Sequence, residues 1–452
     1  MSGDNLNMSR KIAALVNELG GKTYYVGGMV RDELLGIESK DVDIEVHGIT
    51  PGQLENILDS VGEKLKIGAS FGIFSLRGYD IDIAMPRTEQ ATGRGHRDFE
   101  VFIDPFLGVE KAAMRRDFTV NALMKDVLTG EIVDSFGGIE DLKNGILRHV
   151  NDKTFVEDPL RALRAGQFAA RFNFKIAPET IQIIKTMSLD ALPKERVLGE
   201  LVKALLKAER PSVFFDCMKA AQQLDCWFPE LKALIGLEQP SNWHPEGDVW
   251  NHTMLVLDAA AALKDKAKNP LGFMLAALCH DFGKALTQRI ENGKITFYSH
   301  EIEGKPLIER FLRRLTDETE LIKYTLNLCE LHMRPNSLAA FGSSQKALNK
   351  LFYACLDPDA LVMLAKADAL GCGDREINPA TQEYLISGLE SYKETMAKPF
   401  VLGADLVKAG LAPGEYFSDL LEYANKLRLA GIEKENALTQ TLSYARSKGY
   451  IK

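Results

Sequence analysis

The chain has 452 residues, of which 46% are hydrophobic and 26% charged, and its formal net charge is −8. That length exceeds a single hydrophobic core and predicts about three domains of roughly 150 residues. The composition excludes a disordered or collagen-like chain, and no apolar run reaches the roughly 18 residues of a membrane span, so no membrane partner is expected.

The first stretch, MSGDNLNMSRKIAALVNELGG, has no apolar h-region of a signal peptide. The six cysteines form no C-x-x-C pair and read as reduced thiols, which predicts a cytoplasmic protein. A helix-like start, SRKIAALVNELG, leads into the β-type run TYYVGG. The runs DVDIEVHG, IFSLRGYDIDIAM and FEVFID then alternate as strands do, so residues up to about 140 read as mixed helix and strand. From about residue 155, DPLRALRAGQFAARF, PETIQIIKTM and ERVLGELVKALLKA carry helical spacing. Residues 143–210 hold 13 Lys and Arg against 8 Asp and Glu. Such a stretch is either a phosphate-binding surface on an acidic chain or a solvated helical face. The turn-forming segment GLEQPSNWHPEGD, 236–248, separates this part from a third region. Strand signals there are sparse apart from a hairpin at QRIENGKITFY. The expected segments are 1–142, 143–237, 238–375 and a helical tail, 376–452.

Four short motifs carry chemistry. In YYVGGMVRDELLG a strand ends at Gly27 and Gly28, and a helix starts near Val30. Glycine lets the backbone approach a phosphate, and Arg31 offers a guanidinium to triphosphate oxygens. In SKDVDIEV, Asp41 and Asp43 lie two apart on a strand, so both face one side. Paired carboxylates there suit Mg²⁺ bridging nucleotide phosphates, although a bare D-x-D is more often a solvated edge. Asp80 and Asp82 in YDIDIAMPR share a face, and Asp82 is preferred as a third carboxylate. RRDFTVNAL sets Arg115, Arg116 and Asp117 before a helix start, where Asp117 is also a candidate cap. In VEDPLRALRAGQF, Asp158 and Arg161 are three apart and share a helix face, as in an ordinary ion pair. Acceptor beside donor also complements cytosine and adenine and mismatches uracil and guanine, so the pair could choose CTP and ATP without a nucleic-acid template.

VGGMVRD, KDVDIEV, RRDFTVNAL and EDPLRALR, in that order and spacing, resemble the class II CCA-adding tRNA nucleotidyltransferases and the related bacterial poly(A) polymerases. The resemblance covers roughly residues 24–235. It implies an α+β fold: a polymerase-β-like nucleotidyltransferase head, 1–142, with a mixed sheet and helices, then an all-α neck and body, 143–237. It implies Asp41 and Asp43 as catalytic Mg²⁺ ligands, beside which Asp82 is the candidate third catalytic carboxylate. It implies nucleotide contacts at Gly28, Arg31, Arg116, Asp117 and Arg164, and base selection by Asp158 and Arg161. The partners implied are tRNA, CTP and ATP. TEQATGRGHRDF, 88–99, is similar to the loop that CCA-adding members use in switching from C to A. IGASFGIFSL lacks the arginine-rich form of poly(A) polymerases. One position departs: three residues after Arg164 the family usually has arginine, and here stands Gln167, whose amide cannot replace a charge at a triphosphate.

The chain has eight histidines, and five of them, His244, His252, His280, His300 and His332, lie within 244–332. His252 in VWNHTMLVLDAAAAL, His280 and Asp281 in LCHDFGK, and Asp368 in LAKADALG sit on three predicted helices. A single His-Asp pair is more often structural, but four fitting positions favour a metal site. This set resembles the HD phosphohydrolase superfamily and implies an all-α HD domain at 238–375. Imidazole with carboxylate suits a transition metal, of which Ni²⁺ is a candidate, able to activate water against a phosphoester. His300 and His332 are candidates for a surrounding shell or a second metal. NWHPEGDVWNHT and ELHMRP resemble the subset of CCA-adding enzymes that carry this domain, and imply 2′-nucleotidase and 2′,3′-cyclic phosphodiesterase activity. Competing readings are a poly(A) polymerase, an enzyme adding only part of CCA, a regulatory protein nucleotidyltransferase and a pure RNA-binding module. Nothing in the sequence separates a monomer from a homodimer.

Overall fold

The computed structural model describes residues 2–38, 42–68, 73–91, 99–373 and 378–451. The chain divides into two compact units, Met1–Trp227 and Phe228–Lys452.

In the first unit the strands are β1 (Lys22–Val26), β2 (Val42–His47), β3 (Lys64–Gly68), β4 (Ile73–Leu76), β5 (Ile81–Ala84), β6 (Arg87–Ala91), β7 (Phe99–Ile103), β8 (Met124–Asp126) and β9 (Ile132–Val133). Seven of them form one mixed sheet in the order β3-β4-β5-β2-β1-β8-β9, and β6 and β7 pair separately as an antiparallel ribbon. The one parallel pairing in the large sheet is β2 on β5. It needs a crossover, which the helix Pro51–Val61 supplies along with β3 and β4. That helix starts sharply because Thr50 and Gln53 form a capping box and Pro51 is pre-set for the first turn. Ile12, Val16, Ile44, Val46, Leu54, Leu58 and Ile83 are sealed together in a core between the sheet and the helices Ser2–Glu18 and Pro51–Val61. Because strand side chains alternate, burying Ile44 and Val46 on that face sends Asp43, Glu45 and His47 to the other.

The rest of this unit is largely helical, with helices Leu160–Phe172, Pro178–Lys185, Lys194–Lys207 and Ser212–Ala220. The mixed head followed by helices is the expected α+β architecture.

Among its described residues the second unit is helical apart from the hairpin Arg289–Glu291 with Lys294–Thr296. That hairpin falls where the sequence predicts it, and its turn is Asn292-Gly293, both at positive φ, 51° and 75°. Helices Val249–Ala261, Thr319–Leu331 and Pro358–Leu370 gather around Pro270–Cys279, which is buried almost throughout. An apolar helix of this kind survives only in a core. Asp248, Asn269 and Asp357 cap three of these helices through their side chains. Further on, Phe417–Leu429 and Lys434–Ser447 share a small core with Leu406, Leu411, Leu420, Ala437 and Ala445.

Candidate functional sites

In the first unit the register of β2 on β5 places Asp43 opposite Asp82. Neighbours in register point to one face, so two carboxylates stand side by side there. Asp43 is half-buried and Asp82 exposed. Asp41 lies outside the described residues, as does most of the 88–99 segment, 92–98. A pair of hard oxygen donors on one strand face fits Mg²⁺.

The glycine turn is tighter than the sequence reading has it. Gly27 has φ 65° and the helix begins at Gly28, not near Val30. A Cβ on Gly27 would stand 3.1 Å from Arg116 Nη1. Glycine therefore lets the arginine close on the turn. Arg31 is 4% exposed and faces inward. Its Nε and Nη2 donate to Asp32 Oδ1 at 2.8 and 2.6 Å, and its Nη1 donates to Asn121 Oδ1 at 2.6 Å. Its plane rests over Phe172 and Phe168, 4.5 and 5.1 Å from their centroids.

Asn121 passes the connection on, donating from Nδ2 to Asp117 Oδ1 at 3.0 Å. Asp117 Oδ2 receives Arg164 Nε at 2.7 Å and Nη2 at 2.6 Å. Burial opposes the charge on Asp117, but Arg164 and the hydrogen bonds from Asn121 and Phe118 hold its carboxyl below the usual range. Arg116 Nη2 lies 3.3 Å and Arg115 Nη2 3.8 Å from Glu45 Oε2. Glu45 is 1% exposed. Burial alone would raise its carboxyl, yet the hydrogen bond from His47 and the charges of Arg116, His47 and Arg115 bring it down to about 2.

Asp158 and Arg161 do not share a helix face. The helix starts at Leu160, because Asp158 precedes Pro159 and is steered away from helical geometry. Asp158 Oδ1 instead accepts from the Leu160 N–H at 3.1 Å, and Oδ2 accepts from Arg196 Nη2 at 3.0 Å. Arg161 donates to the carbonyls of Thr154 at 2.5 Å and Arg115 at 2.7 Å. Gln167 is 2% exposed and its Nε2 has no hydrogen-bond partner among the described residues. Glu45 and Arg196 are additions to the sequence reading. Glu45 was detectable two residues after Asp43 on the same strand face, whereas Arg196 carries no local signal.

In the second unit His252, His280, Asp281 and Asp368 come together from three helices and the turn after one of them. His252 Nε2 lies 3.0 Å from Asp368 Oδ1 and 3.6 Å from Asp281 Oδ2. His280 Nε2 lies 3.3 Å from Asp281 Oδ2 and 3.8 Å from Asp368 Oδ1. The other oxygen of Asp281 faces His300 Nε2 at 3.1 Å and His332 Nε2 at 3.8 Å. One carboxylate thus joins two ligand groups, and within each the donor atoms lie within 4.8 Å of one another. Lys284 Nζ sits 2.7 Å from Asp281 Oδ2.

Every imidazole here is held from behind through Nδ1. The acceptors are Glu246 Oε1 for His252 at 3.0 Å and the carbonyls of Ala277 for His280 at 2.9 Å, Phe297 for His300 at 3.0 Å and Cys329 for His332 at 2.6 Å. With each Nδ1 donating, each Nε2 is the atom turned inward, the arrangement that metal-ligating histidines use. His300 and His332 bring Nε2 to Nε2 at 3.3 Å, and buried His280 Nε2 has no hydrogen-bond partner among the described residues. Converging Nε2 atoms beside buried Asp281 and half-buried Asp368 fit a cation. Burial and the neighbouring His280 push His332 down to about 3, so it is neutral at ordinary pH. Close packing makes the junction possible: a Cβ on Gly283 would fall 2.0 Å from the His300 carbonyl oxygen. Glu246 is a further residue that sequence reading passed over. Its Oε1 also faces His244 Nδ1 at 2.7 Å.

Residues 23–148 match the family described as Poly A polymerase head domain, 173–235 the probable RNA and SrmB-binding site of polymerase A, and 249–370 the HD domain. Two proteins named Multifunctional CCA protein, from Actinobacillus pleuropneumoniae serotypes 5b and 7, are each 37% identical over 323 residues, 70% of this chain and 76% of theirs. The fold resembles that of the Thermotoga maritima CCA-adding enzyme complexed with tRNA, with a TM-score of 0.67, 23% identity, and 97% of this chain and 95% of that one covered. It also resembles the Bacillus stearothermophilus CCA-adding enzyme in complex with CTP, with a TM-score of 0.64, 20% identity, and 98% and 99% covered.

Proposed function

The chain belongs to the bacterial CCA-adding tRNA nucleotidyltransferases of the multifunctional type with an HD domain, and from that premise we propose that it builds the CCA end of tRNA from CTP and ATP. We assign the head to residues 1–142, the nucleotide-selecting and tRNA-binding neck and body to 143–237, and the HD domain to 238–375. The observation that carries the transferase reading is the register that pairs Asp43 with Asp82.

The tRNA 3′-hydroxyl attacks the α-phosphate of the nucleotide and pyrophosphate leaves. Asp41, Asp43 and Asp82 are the residues we assign to Mg²⁺, which when bound lowers the hydroxyl pKa and neutralises charge on the leaving group. Arg116 and Arg164 hold triphosphate oxygens beside the Gly27-Gly28 turn. Asp117 aims Arg164, and Arg31 with Asn121 braces Asp117 from inside. Asp158 and Arg161 read the base edge. Asp158 is a third exposed as a side chain, so it remains open to a base while Arg196 steadies it. Gln167 brings no charge to the triphosphate.

The test supplies tRNA lacking CCA with CTP alone, ATP alone, or both. Completed ends only with both support the proposal. A long adenosine tail from ATP alone would favour the poly(A) polymerase reading, and a product that stops at CC would favour partial addition.

For the HD domain we propose hydrolysis of 2′-phosphate and 2′,3′-cyclic phosphate ends. Inward-aimed Nε2 atoms over two carboxylates support it. His252, His280, Asp281 and Asp368 would hold a transition metal, with Ni²⁺ a candidate, and Asp281 with His300 and His332 would complete a second group. A metal bound there would activate water against the phosphoester. If the His280→Ala protein opens a 2′,3′-cyclic phosphate at the wild-type rate, this second activity is refuted.

A further inference from the structure

Among the described residues the helical unit holds one more group of ligand-type side chains, beside the two that Asp281 joins. His244 and Glu246 lie on the turn-rich segment 236–248, and Cys372 follows the helix Pro358–Leu370. Their donor atoms, with one from His252, lie within 4.8 Å of one another. His244 Nδ1 stands 2.7 Å from Glu246 Oε1 and 4.0 Å from Cys372 Sγ. Only one oxygen of Glu246 is engaged. Oε1 faces His252 Nδ1 at 3.0 Å, whereas Oε2 is buried and has no hydrogen-bond partner among the described residues. The Glu246 side chain is 3% exposed, and a buried carboxylate oxygen left unpaired is costly. A Cβ on Gly373 would stand 3.8 Å from that oxygen, so it lies against the turn that carries Cys372. His244 and Cys372 line a cavity of about 460 Å³ beside the histidine–aspartate cluster, which gives an ion a way in.

We propose that His244 Nδ1, Cys372 Sγ and Glu246 Oε2 form a zinc site separate from the histidine–aspartate cluster. Sulfur with imidazole and carboxylate is a donor set for Zn²⁺ and not for Mg²⁺. Tetrahedral bonds of about 2.0–2.3 Å set donors roughly 3.5 Å apart, so His244 and Cys372 have only a small gap to close. A water from the cavity completes the four. Binding releases the thiol proton to solvent, and His244 moves its own proton from Nδ1 to Nε2. His252 keeps its proton toward Glu246 Oε1 and stays a donor of the other cluster. The ion clips segment 236–248 to the end of the helix Pro358–Leu370 and fixes the carboxylate that stands behind His252.

Titration with Co²⁺ of the full chain, first stripped of metal with a chelator, tests this. A thiolate bound to Co²⁺ gives a charge-transfer band in the near ultraviolet, and neither of the other two groups contains sulfur. The wild type should develop the band, and Zn²⁺ added afterwards should bleach it. Cys372→Ser should abolish it. His244→Ala should weaken the affinity read from it by about tenfold or more, and His280→Ala should leave it in place. No band in the wild type, a band that excess Zn²⁺ leaves untouched, or an undiminished band in Cys372→Ser would overturn the proposal. So would a band lost with His280→Ala, because the sulfur would then serve the other cluster. Far-ultraviolet circular dichroism checks that each variant is folded. If Cys372→Ser is not, the affinity of His244→Ala decides, and an unchanged value overturns the site.

Discussion

At the scale of single residues, Asp158 bears the sharpest consequence. In the proposed function its carboxylate is the acceptor half of the base-reading pair. Asp158→Ala should admit UTP, lowering the preference for CTP over UTP by roughly ten- to a hundredfold, since a missing partner no longer penalises the wrong base. Comparing incorporation of CTP and UTP into tRNA lacking CCA measures this. Glu45 bears a different one. Its folded carboxyl sits near 2 against an ordinary 4.5, so the charged form is favoured by folding. The stabilisation is fully present above about pH 4.5 and is lost as pH falls through 2. It amounts to about 3 kcal/mol at neutral pH, taking about 1.4 kcal/mol per pKa unit. Glu45→Gln should therefore flatten the acid limb of stability between pH 4.5 and 2, as followed by urea denaturation at each pH. Unfolding curves for the two proteins that stay parallel over that window would refute this role.

At the scale of elements, packing decides what the sequence could disclose. The strand pattern was legible because alternation survives wherever one face is buried. That is why Asp43 and Asp82 could be placed, although their register on adjacent parallel strands could not. The four HD positions were legible for a similar reason: apolar helices frame them, and His280 and Asp281 interrupt one such frame. What stayed hidden depends on contacts between distant segments. Arg31 reads from VRDELLG as a guanidinium offered to triphosphate oxygens, but two phenylalanines more than 130 residues away enclose it. The reading of Asp158 as a helical residue failed on one neighbour, Pro159. Asp281 joins two histidine groups only because the turn at Gly283 lies against the helix that begins at His300. Gly283→Ala should push these apart, costing about 2 kcal/mol or more in stability from overpacking and loosening His300 from Asp281. Urea denaturation and metal titration of the variant measure the two effects, and a variant as stable as the wild type would show that the turn yields freely.

At the scale of the whole molecule, an acidic chain is expected to carry a polyanionic partner on a local surface. The stretch 143–210, with its excess of 5 positive charges from 13 basic and 8 acidic residues, follows directly on the head. Affinity for tRNA should fall linearly with salt on logarithmic axes, as counterion release requires. Filter binding across a salt series measures the slope, and an affinity indifferent to salt would refute a phosphate-dominated interface. The run from Arg31 through Asn121 and Asp117 to Arg164 constrains how the protein can be dissected. A fragment ending at residue 142 would keep the buried Asp117 carboxylate but lose the guanidinium that neutralises it. It would also strip Arg31 of its aromatic cover. Such a fragment should be insoluble or unfolded, while one extending to residue 227 should fold. Anyone transplanting the catalytic head into another scaffold inherits the helix Leu160–Phe172 as a component that has to travel with it.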